Sequence, residues 1–502
     1  MRFLLDTNIL IPLEDSKLPL RPSLANFVRL SNQHGHELLY HPASEEDIQQ
    51  DTNLERRNQT LQRLHQYTCL DVRTVCPWND SATSRNDAAD NEILYALSLH
   101  AAHGLVTEDR GIHDKAKLRG LVDRVYTIQT AEDLLRRLHE KIAVQLPNIE
   151  EVPLYSLTPL LGTPFFDSLR EGYPEFDDWF RTKAQEGRRA WVNWRSIGEL
   201  GGICVYAHQP NEAITDEIRL NSPALKLATF KVGETSRGRK VGELFLKAAF
   251  QYAASNHLEH IFIHGDVDKH HFLFEMLEDF GFERVGSHPG SDGRDAVYLK
   301  QHPCEAPKVN LPPFEYLRRF FPHFRFDPTV TKYIVPIRPE YHSILFPDYV
   351  SLADRQSKLF PVENSAGNAI KMAYLSKAPT KSMVPGDIVI FYRSNDERAL
   401  TSLGVVESYD TLAEVDSIIS RVKRRTVYSL DDIQVMASKP IRVMLFRFVR
   451  HLKMPLSLNQ LMEANILVDR PQSITKISHD KFERVLALEN QVSTDFNPAS
   501  VR

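Results

Sequence analysis

Along the first 140 positions, apolar residues fall into short runs separated by longer stretches where they recur every three or four residues. RFLLDTNILI (2–11), HELLYH (36–41), GLVTE (104–108) and RVYTI (124–128) read as strands, and DNEILYALSLHAAH and AEDLLRRLHEKIA as helices. This alternation predicts a parallel sheet with covering helices. The proline-containing QLPNIEEVPLYSLTPLLGTP predicts a boundary. Beyond it come a helix, the strands RAWVNW and ELGGICVYAH, a strand ALKLATFKV, a helix KVGELFLKAAFQYAASN, a strand HIFIHGDV and a helix HHFLFEMLEDF. The region is mixed α/β and ends near residue 300. QHPCEAPKVNLPPFEY then leads to short strands, clearest in VPGDIVIFYRS and LTSLGVVESYD, and to a helical tail. The expected division is 1–140, 150–302, 325–450 and 451–502, with no internal repeat and no long low-complexity tract.

Composition adds to this picture in three ways. At 502 residues, 42% hydrophobic and 25% charged, the chain reads as soluble, globular and multidomain. No apolar stretch approaches the roughly 18 residues that cross a bilayer, and Asp6 and Asn8 interrupt the one apolar run near the start, so a cytoplasmic, membrane-free protein is expected. Cys69, Cys76, Cys204 and Cys304 match no zinc or disulfide spacing. Residues 301–502 hold 27 Lys and Arg against 22 Asp and Glu, +5, while the first 300 hold 34 against 44, −10. The last third is therefore the expected surface for a polyanion.

Candidate chemistry begins with Asp6, because a buried carboxylate needs partners. If RFLLD is a strand, Asp6 stands at its carboxyl end, where parallel sheets place their sites; GLVTED puts Asp109 at the same place on a later strand. RNDAADNEILYAL begins a helix between them, with Asn86 or Asp87 as cap and Asp90 in the first turn. Three converging carboxylates call for a divalent cation, Mg²⁺ or Mn²⁺, which would activate water against a phosphodiester. LLDTNIL, D-x-x-I-L-Y-A-L and L-V-T-E-D together resemble a PIN-domain ribonuclease over about residues 1–135. That resemblance implies catalytic and metal-holding roles for Asp6, Asp90 and Asp109, with Thr107 orienting them. It also implies a fourth catalytic acid in HPASEEDIQQD, at Asp47 or Glu46. Ser44-x-x-Asp47 equally fits a capping box. Helix-dipole stabilisation is the alternative for Asp90, and a hydrogen-bonded structural acid is the alternative for Asp6.

The stretch ATFKVGETSRGRKVGELFLKAAF puts Arg237, Arg239 and Lys240 at the start of a helix whose Leu244, Phe245, Ala248, Ala249 and Tyr252 recur at helical spacing. Cations there oppose the macrodipole by about 0.3–1 kcal/mol each, so an anion is expected on the loop. Gly238 and Gly242 allow close backbone approach, as a pyrophosphate cradle requires. The loop resembles the R/Q-x-x-G-x-G/A acetyl-CoA loop of GNAT acetyltransferases, and L-E-D-F-G-F-E resembles the closing motif of that fold. Across about residues 150–300 the resemblance implies acetyl-CoA held by Val232, Arg237, Gly238, Arg239, Lys240, Val241 and Gly242. Lys240 replaces the central glycine, and Leu277 replaces the tyrosine that often protonates the thiolate, which leaves that acid unassigned. The alternative for SRGRKVG is a solvated basic helix start. Histidines 257, 260, 264, 270 and 271 supply candidate bases, none singled out by spacing, and surface or core positions account for them equally well.

GNAIKMAYLSKAPTKSMVPGDIVIFYRS, with SLGVVESYD and RVKRRTVYSL, resembles the small ASCH, EVE and PUA-like barrels over roughly 325–450. It implies phosphate contacts from Lys371, Lys377, Lys381, Arg393, Arg421, Lys423, Arg424 and Arg425, and base stacking on Tyr374, Phe391 and Tyr392. The alternative is aromatics in a core and lysines in solvent. Together the resemblances imply an RNA-directed enzyme of toxin or defence type, with tRNA or aminoacyl-tRNA as substrate and a protein antitoxin as partner. The alternatives are an acetyltransferase with a degenerate PIN fold, or a non-catalytic RNA-binding regulator that senses acetyl-CoA.

Overall fold

The computed structural model describes residues 1–15, 20–71, 75–139, 149–196, 198–236, 240–289, 291, 293–349, 369–377, 383–422, 425, 428 and 430–495. They form two compact units. One comprises Met1–Ala143 with Thr411–Val443, the other Val144–Ser236, Lys240–Asp410 and Met444–Arg502.

Unit one is built on a five-stranded sheet of β1 (Arg2–Leu5), β2 (Glu37–Tyr40), β3 (Thr68–Cys69), β4 (Gly104–Val106) and β5 (Val125–Tyr126), in the order β3-β2-β1-β4-β5. Every neighbouring pair is parallel. Leu4 lies opposite both Leu39 and Leu105, and all three are fully buried, as expected of central strands covered on both faces. The strand order reverses around β1, so the carboxyl ends of β1 and β4 form a switch point, and Asp6 and Thr107 follow directly on them. Two expectations are corrected here. The strand in RFLLDTNILI stops at Leu5, because Asp6 accepts from Thr7 N and caps a helix over Thr7–Glu14. The helix Arg85–Ser98 is capped by Ser84, which accepts from Asp87 N at 3.1 Å, rather than by Asn86 or Asp87. Asp90 therefore sits in the second turn. Helices Val415–Val422 and Leu430–Met436 also belong to this unit, through Asp416 to His103 at 2.8 Å and Arg421 to Asp123.

Unit two carries two mixed sheets. The first contains β6 (Glu150–Pro153), β7 (Arg189–Ser196), β8 (Glu199–Gln209), β9 (Ala224–Val232), β10 (His260–Asp266), β11 (Glu283–Ser287) and β12 (Asp295–Gln301), in the order β11-β12-β10-β9-β8-β7-β6. Its pairs are antiparallel except β9 with β10. The second contains β13 (Lys332–Ile337), β14 (Lys371–Ser376), β15 (Ile388–Arg393), β16 (Ala399–Leu412), β17 (Ile441–Ser457) and β18 (Thr475–Ile477), in the order β14-β17-β16-β15-β13-β18. Its β13–β15 pair is parallel, while β15–β16 and β13–β18 are antiparallel. Where a small closed barrel was expected, the sheet among the described residues has β14 and β18 at its ends. The boundary expected at 450 falls inside β17, and the tail adds β18 before its helix His479–Asp495.

The middle and last regions each have a core of their own and share a third. Leu227, Phe245, Ile261 and Leu277 from the first sheet and its helices join Leu317, Phe321, Ile370 and Val405 in one buried cluster. Gly281 marks the tightest approach: at φ +82° a Cβ on it would stand 2.2 Å from the Arg318 carbonyl oxygen, so no side chain fits. Among the described residues no helix is long and apolar enough to cross a membrane.

Candidate active site

In the first sheet of unit two, β9 and β10 hydrogen-bond in parallel over four positions, from Ala224 opposite His260 to Leu227 opposite Ile263. Pairing then stops. β9 continues to Val232 paired only with β8, and β10 continues to Asp266 paired only with β12. The facing edges beyond Leu227 and Ile263 form a wedge in the sheet. Among the expected coenzyme residues, Val232 ends β9, while Arg237, Gly238 and Arg239 lie outside the described residues. The helix Val241–Ser255 begins at Lys240, which takes φ +61°, the left-handed conformation that glycine favours. Lys240 thus holds a backbone conformation that glycine adopts at less cost.

The Lys240 side chain does not supply the expected extra charge for a phosphate. Its Nζ donates to the Lys371 carbonyl at 2.7 Å. Val241 is buried in the core, and a Cβ on Gly242 would approach Met276 Cε at 3.2 Å, so this glycine keeps the helix close to Val267–Asp279. The anion nearest the helix start is Glu243 in the first turn, whose carboxylate accepts from Lys371 N. No described side chain caps the helix, which leaves its first amides as donors. In this respect the described part of the loop fits a pyrophosphate. Leu277 is a wholly buried core residue with no proton to give.

Beside the wedge, one histidine stands in a polar group that sequence spacing did not reveal. His264 directly follows Ile263, the last residue of β10 paired with β9; its Nδ1 is 3.3 Å from Asp295 Oδ2, and its ring stacks on His288 at 3.8 Å. Tyr173 Oη donates to Asp295 Oδ1 at 3.4 Å, and Lys226 Nζ to Glu212 Oε1 at 2.6 Å. Burial, then His288 and Lys226, push His264 down to about 4, against the pull of Asp295. His260 faces Ser222, His257 is exposed, and His270 marks a kink in the helix Val267–Asp279. Strand register would have singled out His264, but a sequence does not display register.

In unit one, Thr107 joins two of the three expected acids. Its Oγ1 donates to Asp6 Oδ2 at 2.6 Å and accepts from Asp109 N at 2.9 Å, while Asn8 Nδ2 donates to Asp6 Oδ2 at 2.7 Å. Burial pushes the Asp6 carboxyl up to about 6 against the Thr107 and Thr7 donors, and Asp90 and Asp109 add to the rise. Gly111 keeps the space between the other carboxylates clear: a Cβ there would lie 3.0 Å from Asp109 Oδ1 and 4.0 Å from Asp90 Oδ2.

Asp90, however, is turned to an ammonium. Lys115 Nζ lies 2.9 Å from Asp90 and 2.5 Å from Asp87. Among the described residues, no three His, Cys, Asp or Glu side chains are arranged to hold a metal ion. The donors are right in kind for Mg²⁺ or Mn²⁺, but their arrangement does not fit one. Lys115, which the sequence reading passed over, is the cation this cluster contains. Asp47 is not gathered with the three acids; its charged neighbours are Arg85 and Glu46, and Glu46 pairs with Arg85 at 3.1 Å. His41 rather than Ser44 caps that helix, so the expected capping box is absent as well.

Three of the eight basic residues expected to meet phosphate are ion-paired within the chain. Lys371 pairs with Asp279, Arg393 with Asp396 and Arg421 with Asp123. Phe391 and Tyr392 are core residues, and Tyr374 donates to the Pro336 carbonyl, so these aromatics are packing residues rather than the expected stacking platform. Lys381, Lys423 and Arg424 lie outside the described residues.

No protein-family model matches the sequence, and no curated protein matches it. Solved structures match in parts. An ASCH protein from Zymomonas mobilis is 14% identical over 31% of this chain and 94% of its own, with a TM-score of 0.24. A GNAT-family acetyltransferase from Desulfovibrio desulfuricans is 15% identical over 30% of this chain and 97% of its own, at 0.25. An acetyltransferase of Corynebacterium glutamicum, described as histone acetyltransferase HPA2 and related, is 17% identical over 33% of this chain and all of its own, at 0.24.

Proposed function

We propose that unit two is an acetyl-CoA-dependent N-acetyltransferase of the GNAT type. The observation that carries this reading is the parallel pair β9–β10, bonded at its base and parted beyond Leu227 and Ile263. The uncapped helix Val241–Ser255 follows on β9. Acetyl-CoA, when bound, supplies the acetyl thioester. The first amides of the helix hold its diphosphate, and the parted strands present backbone groups to the acyl end. Calorimetric titration of the full chain with acetyl-CoA tests this. Micromolar binding that is lost in Gly242→Trp is expected, and the absence of binding by the wild type refutes the reading.

A second reading, a PIN-like nuclease acting on RNA, is favoured by the Asp6–Thr107–Asp109 linkage at the switch point of the parallel sheet. It keeps tRNA as the first substrate to try and a toxin-like role, with a protein antitoxin, as its setting. In this arrangement Lys115, not a metal ion, neutralises Asp90. Incubating tRNA with the full chain and Mn²⁺ decides this reading: cleavage that disappears in Asp6→Asn supports it, and intact tRNA in both samples counts against it.

A further inference from the structure

The polar group beside the β9–β10 wedge goes beyond coenzyme binding, although the inference drawn from it rests on the acetyltransferase reading. Four features bear on it. First, His264 is the first residue of β10 past the last pairing with β9, on the strand edge where the sheet opens. Second, Asp295 occupies the paired strand and holds the Nδ1 side of that ring, so the Nδ1–H tautomer leaves Nε2 as the acceptor. Third, the groups gathered here hold more acids than bases: Asp295, Asp266 and Glu212 against Lys226 and Lys269, with Tyr173 and His288 uncharged. Fourth, the buried Oε2 of Glu212 has no hydrogen-bond partner although its Oε1 is bound to Lys226, which leaves the charge of that carboxylate only partly compensated.

We propose that this wedge receives a primary amine in its ammonium form, and that His264, positioned by Asp295, takes the proton that must leave before acetyl transfer. An acidic surround attracts and orients an ammonium and discriminates against carboxylate-rich acceptors. Burial keeps the imidazole neutral, so its nitrogen is free to take a proton, but the same burial weakens it as a base, and Asp295 offsets part of that loss by stabilising the imidazolium that results. The ammonium gives one proton to His264 Nε2, and the freed nitrogen lone pair attacks the thioester carbonyl. The C–N bond forms as the C–S bond breaks, the departing sulfur takes a second proton from the nitrogen, and His264 returns the first to water. The products are an amide, a thiol and one proton, and no oxidant or reductant is needed. His264 is the catalytic residue of this step, and Asp295 is its positioning residue.

The test uses the full chain with acetyl-CoA, spermidine and a lysine-containing peptide as acceptors, following thiol release together with acetyl-CoA binding. His264→Ala is expected to bind acetyl-CoA as the wild type does and to lose about 10²–10⁴-fold in kcat, with partial recovery on adding imidazole. Asp295→Asn is expected to lower kcat less and to change the ¹⁵N shifts of the His264 ring, reporting the lost tautomer preference in the resting protein. A His264→Ala variant that keeps most of the wild-type kcat overturns the proposal, as does a wild type that binds acetyl-CoA yet acetylates neither amine. A wild type that fails to bind acetyl-CoA overturns the acetyltransferase reading instead.

Discussion

Asp6 makes the physics of a single residue measurable. Its folded-state carboxyl is raised to about 6, whereas an unfolded aspartate titrates near 3.8. Between about pH 4 and pH 6 the folded chain therefore binds a proton that the unfolded chain has released, and stability falls as pH rises through that window. The shift corresponds to about 3 kcal/mol at most. In urea titrations at pH 4.5 and 7, Asp6→Asn is expected to flatten this slope; an unchanged slope would mean that Asp6 is not the group responsible. Lys115 offers a companion test. If its ammonium is the resident counter-charge of Asp87 and Asp90, Mn²⁺ leaves the wild-type melting temperature unchanged and raises that of Lys115→Ala. A rise in the wild type would instead show that the ion displaces the lysine. Asp6 and Asp109 were legible as site candidates because each follows an apolar strand run. Lys115 was not, because its partners Asp87 and Asp90 lie a whole strand and helix earlier in the chain. The cap beside Asp47 was misread because short helix starts offer several plausible caps; the helix begins at Pro42, which puts His41 at the cap and Ser44 inside the first turn.

At the scale of elements, the start of the helix Val241–Ser255 shows a local rule overridden by a distant partner. A lysine at φ +61° costs about 1 kcal/mol relative to glycine, and the hydrogen bond from its Nζ to the Lys371 carbonyl offsets a similar amount. Lys240→Ala retains the strained backbone and loses that bond, so a loss of about 1 kcal/mol in chemical denaturation is expected, with Lys240→Gly recovering most of it. Equal stability of the two variants would show that the backbone conformation carries no cost. The order of the elements was readable from periodicity, since strands and helices differ in where apolar residues recur. The separation of β9 from β10 was not, because Ala228–Val232 and His264–Asp266 keep the strand alternation and differ only in which neighbour they bond.

At the scale of the molecule, charge and apolar packing join regions that proline-rich connections led the sequence reading to separate. Arg447 on β17 is almost wholly buried, donating to Asp279 Oδ1 at 2.7 Å and to the Asp279 carbonyl at 2.8 Å. Burial works to raise the Asp279 carboxyl, but Arg447 and Lys371 outweigh it and hold it well below the usual carboxylate range. A depressed carboxyl contributes stability that is present above about pH 4 and is lost as pH falls toward its folded-state value. Asp279→Asn, which leaves the buried guanidinium Glu407 at 3.4 Å as a remaining charged partner, is expected to cost about 3 kcal/mol at pH 7, and a loss below 1 kcal/mol in urea unfolding would contradict the assignment. The shared cluster makes a second prediction. Residues 150–302 expressed alone leave uncovered the apolar surface that Leu317, Phe321, Ile370 and Val405 pack against, so strong dye binding and a broad melt are expected. A sharp melt without dye binding would show that the region is autonomous.

The composition of unit one from residues 1–143 and 411–443 also has a consequence for the order of events during synthesis. When residue 143 has been added, the parallel sheet already has all its strands, but Asp123 and His103 still lack Arg421 and Asp416. Those partners arrive only after some 300 more residues have been translated, about 15–60 s later at ordinary elongation rates. The first-made unit is thus among the last to be completed, and the contacts at the amino ends of β4 and β5 form only when most of unit two has already left the ribosome.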